Sequence, residues 1–144
     1  MFIYTSPTSA EEFSKYFIFR WEMLRKPLNL PLGSEQDELE NHAFHIAAYN
    51  NKNIIGVGRL HIEKNQSARI RYMAVRENYQ HQGVGSSILR ELEKIAKTKN
   101  AETCWLYARE TAISFYLNNN YQIKGIATSE LEIKHHRMEK VLQN

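Results

Sequence analysis

Residues 80–89 read QHQGVGSSIL, and the reading of this stretch decides how the rest of the chain is assembled. It follows the apolar run ARIRYMAV (68–75) and opens a helical pattern that places Ile88, Leu89, Leu92, Ile95 and Ala96 on one face. Strand, glycine turn, helix over 85–98 and then the short apolar run TCWLYA (103–108) together make a parallel crossover. The first N–H groups of such a helix have no partner within it, and the helix dipole adds partial positive charge there. Gly83 and Gly85 remove two Cβ atoms where the chain turns, while Ser86 and Ser87 keep the entrance small. The turn is therefore a candidate seat for a phosphate or pyrophosphate.

Upstream, Ser9 and Glu12 have the spacing of a capping box, and Phe13, Tyr16, Phe17, Trp21 and Leu24 recur at helical spacing as far as Pro27. Residues 28–41, with Pro31, Gly33, Glu35, Asp37, Glu38 and Glu40, predict a loop or short helix long enough to wall a substrate site. FHIAAYN and NIIGVGRLHI predict a hairpin turning at Asn50, Asn51 and Lys52, with ARIRYMAV as the next strand. Downstream, TAISFYLNN predicts a short helix, and YQIKGIA and EIKHHRMEKVL a closing strand pair. The expected fold class is mixed α/β: one domain over 1–144, with a mostly antiparallel sheet flanked by helices.

Composition narrows the function. A net charge of +3 and a pI near 9.0 favour anionic partners, but the basic residues are scattered among nearly as many acids. A dedicated nucleic-acid surface is not expected; a small polyanionic ligand suits this modest excess. The single cysteine, Cys104, excludes an intrachain disulfide and reads as a buried small hydrophobe within TCWLYA. No His, Cys, Asp or Glu set has metal-ligand spacing; His135 and His136 are adjacent, so a strand sends them to opposite faces. No run approaches the ~20 apolar residues of a membrane span, and the N-terminal residues lack a leader pattern, which predicts a cytoplasmic protein with no membrane partner.

Two nucleotide motifs fail. A P-loop needs a lysine directly after its last glycine, and none follows Gly85 before Lys94. A dinucleotide fingerprint needs a third glycine where Ile88 stands, and antiparallel strands ahead of the turn contradict a doubly wound sheet. The remaining pattern is Q-x-x-G-x-G, met by Gln80, Gly83 and Gly85 between strand and helix. It resembles motif A of the GNAT acetyltransferase superfamily. The order of elements agrees along nearly the whole chain. Ala112, Phe115, Tyr116 and Tyr121 are similar to the family's A-x-x-F-Y-x-x-x-G-F pattern, with Asn120 in place of glycine and Tyr121 in place of phenylalanine.

The resemblance implies an N-acetyltransferase that moves an acetyl group from acetyl-CoA directly to a primary amine, with no metal. A catalytically silent acyl-CoA-binding module is the alternative. It further implies that the backbone of Met73, Ala74 and Val75 pairs with the pantetheine arm, as β-augmentation does. His81, Gln82, Gly83, Val84, Gly85 and Ser86 would line the pyrophosphate. Tyr116 matches the position that often protonates the departing thiolate. Some members carry a glutamate as general base three residues before the position of Tyr72; Arg69 stands there instead. Glu40, His45, His61 and Glu63 remain as candidate bases. The acidic segment GSEQDELEN is expected to attract an amine acceptor. An exposed C-terminal strand could pair two subunits into a homodimer.

Overall fold

The computed structural model describes residues 1–128 and 133–142. Its elements run β1 (Ile3–Thr5), α1 (Ala10–Leu24), β2 (Phe44–Asn50), β3 (Asn53–Glu63), β4 (Ser67–Val75), α2 (Val84–Thr98), β5 (Thr103–Arg109), α3 (Ile113–Asn118), β6 (Gln122–Thr128) and β7 (Lys134–Val141). One seven-stranded sheet takes the order β1-β2-β3-β4-β5-β7-β6. Every neighbouring pair is antiparallel except β4 with β5, which the α2 crossover makes parallel. The fold is the expected mixed α/β architecture. β1 has no counterpart in the sequence reading, since three residues carry too little periodicity to register.

The sheet is covered on both faces. Val84, Ile88, Leu89, Leu92 and Ala96 of α2 join Ile46, Ile55, Leu60 and Ile70 in the larger core, while Tyr16 and Phe19 of α1 join Ala47 and Val57 in a smaller one. The alternation of neighbours such as Ile46 and Ala47 between the two cores is the period-2 signature of a strand buried on both sides. At the start of α1 the capping box forms as its spacing implies: Glu12 N–H donates to the Ser9 hydroxyl at 3.0 Å and Ser9 N–H to Glu12 Oε1 at 3.1 Å.

Two expectations are corrected. The C-terminal strand β7 is not an edge, because it lies between β5 and β6 and is bonded on both sides. The open edges at the two ends of the sheet belong to β1 and β6. The acidic segment is not a free wall either, as the carboxylates of Asp37 and Glu40 face inward onto arginines. Residues 129–132, which include the start of EIKHHRMEKVL, lie outside the described residues. Among the described residues no helix is long and apolar enough to cross a membrane.

Candidate active site

β4 and β5 pair only at Ser67 with Thr103, Ala68 with Cys104 and Arg69 with Trp105. Beyond that point the strands part. β5 stays bonded to β7 from Thr103 to Arg109, and β4 stays bonded to β3, so each is held along its outer side. The inner side of β4 from Ile70 to Val75 has no strand partner. A cleft of about 520 Å³ opens there, lined among others by Tyr72, Met73, Tyr107, Ala108, Ala112 and Tyr116.

A β-bulge accompanies the divergence. Arg59 pairs with Arg71 and Val57 with Ala74, so Tyr72 and Met73 together oppose Gly58. Tyr72 takes a left-handed φ of 59°, unfavourable for a bulky side chain by about 1–3 kcal/mol. Its ring is held by guanidiniums: Arg20 lies 4.1 Å from the centroid, Arg71 4.6 Å and Arg59 4.8 Å. A bulge bends its strand and increases the local twist, which turns β4 away from β5.

Those arginines consume the acidic segment. Arg59 makes two hydrogen bonds to Asp37, at 2.7 and 3.0 Å, and a third to Glu40 at 3.0 Å. Arg20 donates to Glu40 at 2.8 Å and to the Glu35 carbonyl at 3.0 Å. Both guanidiniums are fully buried. The Glu35 carboxylate accepts from Gly33 N–H and from the Gln36 amide. Burial alone would raise the pKa of Asp37. The Arg59 hydrogen bonds, the Leu39 N–H and the charges of Arg59 and Arg71 together outweigh it and hold the carboxyl at about 2. Of the four acids, Glu38 alone is exposed.

At the end of β4 the chain turns through His81 (φ 64°) and Gly83 (φ 82°) into α2. The two glycines do different work. A Cβ on Gly83 would meet nothing within 4 Å, so the backbone there faces open space. One on Gly85 would lie 3.0 Å from Phe115, so its absence lets α3 close against α2. Gly83 supplies no side-chain cap, the first turn has no acid, and Ser87 N–H takes up the Gly83 carbonyl. The N–H groups of Val84, Gly85 and Ser86 precede the first intrahelical donor. Gln80 turns back to donate to the Val75 carbonyl at 3.2 Å, pinning the turn to the strand.

Tyr116 is 7% exposed and lines the cleft beside Met73 and Ala108. Its ring packs edge-on against Phe115 and Tyr121, and its hydroxyl has no hydrogen-bond partner among the described residues. Burial raises its pKa, so the phenol stays protonated at neutral pH and can act there only as a donor. Cys104 is buried, and desolvation first, then the charge of Glu93, pushes its thiol up to about 12; it is no nucleophile.

None of the four candidate bases lines the cleft. His45 lies 2.9 Å from both the Tyr16 hydroxyl and the Glu40 carbonyl, Glu40 is bound to arginines, and Glu63 accepts from Trp105 Nε1 at 2.6 Å. His61 is 8% exposed between Arg59 and Glu63. What lines the cleft instead is His135, with Arg25, Arg69, Arg71 and Arg109. The sequence pairing of TCWLYAR with HHRMEK could have brought His135 to Arg109, but only once β7 was placed beside β5.

The comparisons with known proteins agree with this geometry. A profile described as the acetyltransferase (GNAT) family matches residues 8–129. The chain belongs to the GNAT acetyltransferase family. It is 32% identical over 115 residues to the uncharacterized N-acetyltransferase YjcF of Bacillus subtilis, covering 80% of this chain and 81% of that one. A GNAT-family acetyltransferase structure from Staphylococcus aureus Mu50 superposes with a TM-score of 0.81 at 17% identity, over 99% of this chain and 100% of that one. An aminoglycoside 6'-N-acetyltransferase complexed with coenzyme A superposes at 0.82 and 13% identity, over 99% and 98%. This GNAT chain is an acetyl-CoA-dependent acyltransferase.

Proposed function

We propose that the enzyme transfers acetyl from acetyl-CoA directly to a primary amine in the cleft between β4 and β5. The observation that carries this reading is the parting of the two strands after Arg69 and Trp105, with the glycine turn at the same end. The unpaired side of β4 offers backbone groups of Met73, Ala74 and Val75 to an amide-bearing arm, in the manner of an added strand. His81, Gln82, Gly83, Val84, Gly85 and Ser86 surround the open space at the start of α2, where N–H groups and the helix dipole suit a pyrophosphate.

Transfer forms one C–N bond and breaks one C–S bond; the amine loses a proton and the departing thiolate gains one. Tyr116, protonated and with no hydrogen-bond partner for its hydroxyl among the described residues, is the proposed donor to that sulfur. His135 is the proposed acceptor of the amine proton. Its Nδ1 lies 2.9 Å from the Ile133 carbonyl, which can only accept, so Nδ1 donates there and Nε2 is the ring nitrogen left to take the proton. Attack is direct, since the cysteine that might form an acyl-enzyme is buried and protonated.

The experiment is an acceptor screen that follows thiol release from acetyl-CoA. Acetylation of at least one amine, with the acetylated amine found by mass spectrometry, supports the reading. Tight CoA binding with no transfer to any amine would replace it with a silent acyl-CoA-binding module.

A further inference from the structure

Among the described residues the cleft is lined by four arginines, Arg25, Arg69, Arg71 and Arg109, and by no carboxylate. Elsewhere this fold neutralises its interior cations thoroughly: Arg20 and Arg59 are matched by Asp37 and Glu40. The cleft arginines are treated differently. Arg25 donates only to carbonyls, those of Ser34 and Leu24, both at 3.2 Å. Arg71 reaches a single carboxylate oxygen at 3.4 Å, Asp37 Oδ2, which Arg59 already holds at 3.0 Å. Arg69 stacks over Trp105 at 4.7 Å and Tyr107 at 5.3 Å and makes no ion pair among the described residues. Arg109 is exposed and makes no ion pair or hydrogen bond among the described residues.

The arginines also repel one another. Burial is the main influence lowering the pKa of both Arg25 and Arg69. The next like-charge influence on each is Arg71, followed on Arg25 by Arg109. A concave site with this excess of cations favours an anion and disfavours a polycation. The phosphates of the donor do not account for it. Arg71 and Arg69 stand four and six strand positions before Val75, about 13 and 20 Å from the end of β4 where the glycine turn begins.

Resting on the transferase reading, we propose that the acceptor amine carries an anionic oxyacid group, a carboxylate or a phosphate, which the guanidiniums of Arg69, Arg71, Arg25 and Arg109 receive in the cleft. Planar guanidiniums suit both oxyanions because each can be bound through two parallel hydrogen bonds. The anion then fixes the amine in the cleft, where Tyr116 and His135 lie. The acidic segment, being internally neutralised, has no part in attracting the acceptor.

The test follows thiol release at saturating acetyl-CoA with matched amines: β-alanine against β-alanine amide, and phosphoethanolamine against ethanolamine. The anionic member of at least one pair should show a kcat/KM about tenfold or more above its neutral partner, the scale of one charge-assisted contact. Which pair responds separates carboxylate from phosphate. R109E, on an exposed side chain with no ion pair among the described residues, should remove most of that preference through the acceptor KM, with acetyl-CoA KM and melting temperature unchanged. R69Q, which also gives up the stacking on Trp105 and Tyr107, should do the same to the acceptor KM in its folded fraction, with acetyl-CoA KM unchanged. Equal kcat/KM within both pairs, or a preference for spermidine, overturns the proposal. So does a rise in acetyl-CoA KM alone, which would assign the arginines to the donor. If no amine is acetylated, the transferase reading fails separately. N-acetyl-β-alanine and its amide are then titrated into the CoA-bound protein, where tighter binding of the carboxylate upholds the anion site and equal binding overturns it.

Discussion

Tyr116 is the proposed proton donor to the departing thiolate, and a proton donor and a merely packed ring predict opposite variants. Phenylalanine keeps the ring packing against Phe115 and Tyr121 and removes only a hydroxyl that has no hydrogen-bond partner among the described residues. Stability should therefore hold, while the chemical step in a single turnover should slow by on the order of 10²-fold, the low end for general acid catalysis. An undiminished chemical step would remove Tyr116 as the acid. Likewise His135→Gln should lower kcat without raising acetyl-CoA KM. Gly85 makes a contrast with Gly83: Gly85→Ala puts a methyl against the Phe115 ring at 3.0 Å and should lower the melting temperature.

At the scale of elements, the bulge in β4 and the segment before β2 form one device. Asp37 and Glu40 neutralise Arg59 and Arg20, and those cations in turn hold Tyr72 in its left-handed conformation. Removing the acids leaves buried cations unpaired, at a cost of about 3–5 kcal/mol for such a pair. D37N/E40Q should thus melt well below the wild type rather than merely raise an acceptor KM, as thermal unfolding will show. The pH dependence has a definite sign. The folded-state pKa of Asp37, about 2, lies below its unfolded value, so its contribution is full above pH ~4 and is lost as pH falls through 2. The unshifted-to-shifted interval corresponds to about 2 kcal/mol. Wild-type stability should drop over that window, and D37N, already less stable, should drop less. A parallel decline of the two would contradict the linkage.

At the scale of the whole molecule, the sequence carried the architecture further than it carried the site. The helix α2 of the crossover, the capping box of α1 and the glycine turn were legible because each is local: its periodicity, cap or turn is complete within the element itself. The long-range partners were not. Whether Asp37 faces solvent or Arg59 depends on a contact across 22 residues, and GSEQDELEN carries no local mark of that difference. His135 enters the cleft only because β7 inserts between β5 and β6, which composition does not encode. Gly83 and Gly85 looked equivalent, and only the position of Phe115 separates them.

The central claim is that the turn at Gly83 and the parted strands beside it bind the donor. Calorimetric titration of CoA into the wild type and Gly83→Val tests it most directly, with thermal unfolding as the control for folding. The account predicts one CoA bound per wild-type chain. In the variant, where a side chain enters the open space beside the N–H groups of α2, affinity should fall about tenfold or more. Equal affinity in a folded variant, or no binding by the wild type, would contradict it.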